Sequence, residues 1–281
     1  MMWPKKPTWW TEEGTVYVSV PFTWNLPSVA AQLRQRLFLY DRAVVGGPAV
    51  ELMPEYLADI PNVEIGHDSP GVLQRVNPRA TRTTLGCPNH CAFCGIGQGL
   101  IEPGGFRELD DWPDLPVVCD NNLLAASDAH FDRVLDRLLK HENVDFNQGL
   151  DSRLLTRYHA ARLGELDHPT IRLALDHWKP YAREVWDCAF ARLRGALIPK
   201  RRIAVYCLIG WRDTPQEAWT RCQYVETRGV LVCPLWFHPL DALEWNGLST
   251  EQVALGWTHE HCKHIMSYYY QHRGVPLLAG M

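Results

Sequence analysis

Three of the nine cysteines lie within eight residues, in the run Gly86-Cys87-Pro88-Asn89-His90-Cys91-Ala92-Phe93-Cys94-Gly95. Thiols spaced C-x3-C-x2-C on a glycine-bounded loop can wrap one side of a compact metal centre. Thiolates are soft donors that select zinc, copper(I) or iron–sulfur clusters. A structural zinc site needs a fourth ligand, and His90 lies inside the loop as a candidate. An ordinary cluster takes four cysteines, and the next one, Cys119, falls at the end of a predicted strand. Three thiolates on a four-iron cube leave one iron open to chelate a small molecule.

Such a loop must be carried by a scaffold, and the chain after residue 80 supplies a regular one. Strands are predicted at Arg82–Leu85, Pro116–Cys119, Val144–Asn147, Ile171–Leu175, Ile203–Leu208 and Leu231–Phe237. Phe131, Val134, Leu135, Leu138 and Leu139 repeat at helical spacing, as do Val185, Ala189 and Leu193. Thr214-Pro215-Gln216-Glu217 reads as a capping box with proline at the first helical position. Gly95–Trp112 shows no helical pattern. Strands joined by crossovers predict a parallel sheet curved into an α/β fold of the partial (β/α)6, TIM-barrel type. In such folds chemistry gathers at the C-terminal ends of the strands. That rule nominates Asp120, Asn121, Gln148, Asp176, His177, Gly210 and His238.

Before the barrel, Thr15–Val20, a helix carrying Val29, Leu33 and Leu37, and Ala43–Val45 predict a small strand–helix–strand unit. The predicted organisation is an N-terminal α/β region over 1–79, the barrel over 80–240 and a C-terminal helical extension over 241–281, with the first boundary at Asp68–Arg79. Ser249 and Gln252 form a second capping-box pair.

The 281 residues carry a formal charge of −4 and are 46% hydrophobic. That excludes a generally basic nucleic-acid coat, and no apolar run is long enough to span a membrane. Met1-Met2-Trp3-Pro4-Lys5-Lys6 leads into no apolar segment, so no secretory signal is expected. With no export signal, cysteine-rich composition fits a reducing, cytoplasmic location better than a disulfide scaffold. Cys207 and Cys233, inside apolar strands, are expected to be core thiols. Seven cations in residues 179–202 oppose only Glu184 and Asp187, and an ordinary solvated face is favoured over a phosphate patch because Lys200–Arg202 precede a strand. His261 and His264 share a helix face, read as solvated or partner-facing and not as a metal site.

The cysteine loop, with aromatic Phe93 before Cys94, resembles the radical S-adenosylmethionine (radical SAM) enzymes. The likeness extends in order through Val118-Cys119-Asp120-Asn121-Asn122, Phe146-Asn147-Gln148-Gly149-Leu150-Asp151, Arg172-Leu173-Ala174-Leu175-Asp176 and Val205-Tyr206-Cys207-Leu208-Ile209-Gly210. These segments are similar to the cobalamin-associated and methylthiotransferase-like branch, over roughly residues 80–240.

The resemblance implies that Cys87, Cys91 and Cys94 hold a [4Fe–4S] cluster whose open iron binds SAM. Reductive cleavage of SAM then gives methionine and a 5′-deoxyadenosyl radical that takes hydrogen from the substrate. It places Phe93, Asp120, Asn121, Asn122, Gln148, Asp151, Asp176 and Gly210 at the cofactor, and His177, Trp236 and His238 at the substrate. Asp120-Asn121-Asn122 stands where the family's Gly-Gly-Glu segment contacts the methionine ammonium. No cobalamin is expected, because the N-terminal region is short and lacks Asp-x-His-x-x-Gly; it resembles a remnant of a cobalamin-binding domain. Cysteines for a second cluster are missing, so rearrangement, elimination or bond cleavage is expected. The substrate is a small molecule, such as an amino-acid-derived metabolite, or a nucleotide or nucleic-acid base. A flavodoxin or ferredoxin is the expected reductant. A non-catalytic zinc or iron–sulfur module is the competing reading.

Overall fold

The computed structural model describes residues 5–66 and 71–271. It opens with β1 (Thr8–Glu12), β2 (Thr15–Ser19), α1 (Leu26–Arg36), β3 (Arg42–Gly46), α2 (Pro48–Leu52), β4 (Val63–Gly66) and α3 (Val72–Val76). β2, β3 and β4 pair in parallel, and β1 folds back antiparallel on β2. The β2–α1–β3 order is the expected strand–helix–strand unit. Val18, Val29, Leu33, Val45 and Leu57 give it a hydrophobic core of its own. Part of the predicted boundary segment, and the end of the C-terminal extension, lie outside the described residues.

Next come β5 (Ala80–Thr81), β6 (Thr84–Leu85), β7 (Arg107–Glu108), β8 (Val117–Val118), α4 (Asp128–Leu138), β9 (Asp145–Phe146), α5 (Arg157–Gly164) and β10 (Ile171–Ala174). The chain continues through α6 (Pro180–Gly195), β11 (Ile203–Ile209), α7 (Pro215–Glu226), β12 (Leu231–Trp236), α8 (Thr250–Ala254) and α9 (His259–Gln271). β5, β8 and β9 form one parallel sheet, and β10, β11 and β12 another. Parallel bridges Asp145↔Thr170 and Leu150↔Leu173 link β9 to β10. The fold is therefore mixed α/β, with parallel strands in sequence order. Among the described residues no pairing joins β12 to β5, so the sheets do not close into a barrel.

Side chains alternate across each strand, and the alternation sorts the residues cleanly. Val118, Phe146, Leu173, Val205, Cys207 and Val232 join the main core under the helices. Their neighbours Cys119, Asn147, Arg172, Tyr206 and Leu235 line a cavity on the opposite face. Cys207 and Cys233 are buried, as expected of core thiols. Thr214 with Glu217 and Ser249 with Gln252 both make the reciprocal bonds of a capping box.

One strand differs from expectation. The predicted strand at Arg82–Leu85 is split: β5 pairs with β8 one turn of chain earlier, and β6 pairs antiparallel with β7. The cause is Asp120, whose carboxylate accepts from the Thr83 N–H at 2.6 Å, the Thr84 N–H at 2.7 Å and the Thr83 hydroxyl at 2.8 Å. Backbone donors that a neighbouring strand would otherwise satisfy are satisfied by that side chain. The cationic run 179–202 is engaged internally in part: Arg192 and Arg194 donate to the carbonyls of Leu155 and Ile198, and Arg202 to Asn143. His261 and His264 on α9 are exposed. No described helix is long and apolar enough to cross a membrane.

Candidate metal centre

Parallel strands deliver their C-terminal ends to one edge, and the cysteine loop leaves that edge directly after β6. Cys87, Cys91 and Cys94 are free and partly buried. The turn is held by the Cys94 N–H donating to Cys91 O at 3.0 Å and by Gln98 N–H donating to Cys94 O at 2.9 Å. Gly97 permits the close approach, since a Cβ there would meet Cys91 N at 2.7 Å. Burial pushes the Cys91 thiol up; the neighbouring Cys94 and Cys87 push the same way, while Arg153 opposes them. His90 is exposed. Among the described residues, no three His, Cys, Asp or Glu side chains converge into a group able to hold a metal ion.

Loops after successive strands close around these thiols. Asn122, after β8, donates through Nδ2 to Cys87 Sγ at 3.7 Å and to Asp151 Oδ2 at 3.3 Å. It is 2% exposed, and its Oδ1 has no partner among the described residues. Asp151, after β9, also accepts from Asn89 Nδ2 inside the cysteine loop at 2.8 Å. Arg153 grips the same carboxylate in a fork, Nε to Oδ1 at 2.8 Å and Nη2 to Oδ2 at 2.7 Å. Burial raises the Asp151 carboxyl, but the Arg153 and Asn89 bonds win and hold it below its ordinary value.

An aromatic wall stands beside the loop. Phe93 meets His177 and Trp211 edge-on, both at 6.2 Å between ring centroids, and Trp211 packs on Phe237 at 4.6 Å. Gly210, which precedes Trp211, has φ +82°. A Cβ there would sit 2.6 Å from the Trp236 ring and 3.0 Å from Gln252 Nε2. Gly210→Ala therefore combines left-handed strain with overpacking and is expected to destabilise by about 2–4 kcal/mol, read as a lowered urea midpoint at unchanged slope.

Asp176 lies two residues past β10 and accepts from the Leu208 N–H at 3.3 Å. Burial pushes its carboxyl up to about 6. A folded pKa above the unfolded one makes a contribution that is full below about pH 4 and lost as pH rises through about 6. Asp176→Asn is thus expected to stabilise the protein at pH 7.5, by on the order of 2 kcal/mol, with no gain at pH 4. Paired thermal melts at the two pH values measure this.

Several nominated residues sit elsewhere than expected. Asp120 is 3% exposed and committed to Thr83 and Thr84, so it anchors the segment leading into the cysteine loop instead of offering acceptors to a ligand. Asn121 donates to Glu102 Oε2 at 2.9 Å; Glu102 also accepts from the Gly86 N–H at 2.7 Å and pairs with Arg82. Trp236 does not face the cavity: it pairs with Ile209 across the sheet and packs on Trp257 in the main core. Alternation along β12 decides this, because Leu235 takes the cavity side. His238 packs on Trp24 of the N-terminal unit at 4.5 Å and its Nε2 accepts from the Asn246 N–H at 3.2 Å. Gln148 is exposed at the cavity rim.

The cavity has a volume of about 1150 Å³. Near the cysteine loop it is lined by Leu85, Ile96, Asn121 and Gln148, and within the sheet by Arg172 and Tyr206. Arg172 is 6% exposed and pairs with Asp145, yet among the described residues its Nε has no partner, and Arg82 Nε and Nη2 also lack one. Sequence reading passed over Arg172, Trp211 and Asn89. A lone arginine inside the apolar run Ile171–Ala174 was the available signal for the first.

No family model, curated protein or solved structure matches the chain.

Proposed function

We propose that this chain is a radical SAM enzyme in which Cys87, Cys91 and Cys94 hold a [4Fe–4S] cluster and the six parallel strands form one open, partial barrel beneath it. The observation that carries the reading is the pairing of three partly buried free thiols on one loop with an orphaned buried acceptor, Asn122 Oδ1, whose amide also touches Cys87. The donor set fits such a group. Thiolates on three corners of a cube bind three different irons, so they need not converge as ligands of one ion must. A zinc site would require that convergence together with a fourth ligand, and the candidate, His90, is exposed. When bound, the cluster supplies the electron that cleaves SAM.

The chain's own residues then bind and shield. Asn122 Oδ1 offers the acceptor that the methionine ammonium of SAM needs. Phe93, Trp211 and Phe237 supply a wall for a flat ring, with the Gly210 backbone beside it. Asp176 and His177 close the same edge from β10, the first for cofactor hydroxyls and the second toward the substrate. The cavity admits the substrate, and its unpaired Arg82 and Arg172 N–H groups call for acceptor oxygens. A free small molecule is favoured over a base held in nucleic acid, because the cationic run 179–202 is partly tied to internal acceptors and ends at the start of β11.

Anaerobic reconstitution with iron and sulfide, followed by dithionite and SAM, tests the reading. Formation of 5′-deoxyadenosine is the expected result. A colourless zinc protein that leaves SAM intact would replace the enzyme with a binding module.

A further inference from the structure

We propose that Arg153, held in place by Asp151, is a positioning residue that sets the reduction potential of the cluster carried by the cysteine loop. The proposal rests on the radical SAM reading above and adds to it a role for a residue that reading does not use.

Asp151 is the hub. Its side chain is only 11% exposed, yet one carboxylate receives five donors from three segments of chain. Oδ1 accepts from the Arg153 N–H at 3.0 Å and from Arg153 Nε at 2.8 Å. Oδ2 accepts from Arg153 Nη2 at 2.7 Å, Asn89 Nδ2 at 2.8 Å and Asn122 Nδ2 at 3.3 Å. A bidentate fork fixes a guanidinium in direction as well as in place. The Asn89 bond brings this pair to the cysteine loop two residues before Cys91, near enough for the guanidinium charge to act on the Cys91 thiol, while Asn122, on the same carboxylate, reaches Cys87 Sγ at 3.7 Å. One of the three thiols thus carries a donor, and another feels a cation, whose orientation is set by Asp151.

This arrangement exceeds what a surface ion pair requires. Asp151 and Arg153 are two residues apart and could pair in solvent; instead the pair is bolted to the cysteine loop through Asn89. A cation fixed beside a ligand sulfur favours the state with one more electron, because reduction adds negative charge to the cluster. The anchor is buried but the Arg153 side chain is half exposed, so salt screens part of that interaction and the shift is expected to shrink as ionic strength rises.

The test compares midpoint potentials of reconstituted clusters by anaerobic redox titration, followed by electron paramagnetic resonance. Arg153→Gln removes the charge and is expected to disfavour reduction about tenfold, a shift of about 59 mV to more negative potential for one electron. Arg153→Lys keeps the charge without the fork and should recover at least half of that shift. Arg34→Gln, in an exposed pair on the N-terminal unit, controls for net charge and should leave the potential where it was. Iron and sulfide contents are expected to match wild type in all three.

An unchanged potential in Arg153→Gln would overturn the proposal, as would an equal shift in Arg34→Gln. Loss of the cluster from Arg153→Gln would also overturn it, making the residue one of assembly. If the wild-type chain itself takes up no iron, the radical SAM reading fails first, so the two failures are distinguishable.

Discussion

Replacing Cys91 with alanine is expected to abolish SAM cleavage, a loss of more than about 10³-fold, because residues that assemble one centre fail together when one is removed. The same change should leave the fold intact. The cysteine loop contributes none of its three thiols to the main core, and its backbone turn is made by main-chain bonds from Cys94 and Gln98 that alanine at position 91 retains. Iron content and 5′-deoxyadenosine yield would fall to the blank while the melting temperature stays within about 2 °C, the usual reach of a substitution outside the packed core. Cys207→Ala is the informative contrast. That thiol is fully buried under α7, so its loss should lower stability and spare cluster assembly. Cleavage activity surviving in Cys91→Ala would contradict the assignment of the loop.

Arg221→Ala is expected to be the most damaging single change to stability. Arg221 is 1% exposed and pairs with Asp213 at 2.6 Å, and it also donates to Leu208 O. Without it Asp213 is left buried as an unpaired charge, at a cost of about 3–5 kcal/mol, or roughly 6–15 °C of melting temperature. Burial already pushes the Asp213 carboxyl up, and Arg221 is the main force pulling it back. In the variant that carboxyl rises further, so the deficit should narrow as pH falls from 8 to 5 and Asp213 takes up a proton. The damage also reaches the candidate metal centre, since Asp213 Oδ1 accepts from the Gly210 N–H at 2.9 Å, next to Trp211. Adding Asp213→Asn to Arg221→Met keeps that acceptor and removes the stranded charge, so the double variant should recover most of the lost stability. No recovery would mean that the arginine acts through packing alone.

The elements that were legible in the sequence are those whose signals are local. Ile203–Leu208 and Leu231–Phe237 are long apolar runs and became β11 and β12 almost residue for residue. The two capping boxes are written in four residues each and form as written. What was hidden depends on contacts made across the chain. The split of the first strand is imposed by Asp120, thirty-six residues beyond Thr84. The antiparallel β6–β7 pair is only two residues long on each side, too short for any alternation to show.

The same division runs through the candidate metal centre. Cysteine spacing marked the loop, the strand-end rule brought His177 to it, because parallel strands present one kind of end together, and Asn122 and Asp151 were named only through the resemblance. The rule says where a residue lies and not where its side chain is committed. Asp120 and Asn121 obey it and are engaged with Thr83 and Glu102. Trp236 fails for a different reason: strand alternation puts it on the helix side, and that parity was readable from Leu235 had the register with β11 been known.

Three protein thiolates and one open iron make a prediction that no zinc site or four-cysteine cluster shares. Electron paramagnetic resonance of the reduced, anaerobically reconstituted protein should show a [4Fe–4S] signal that changes when SAM is added, as the cofactor occupies the open corner. A signal indifferent to SAM, or a protein that takes up zinc and no iron, would contradict the account.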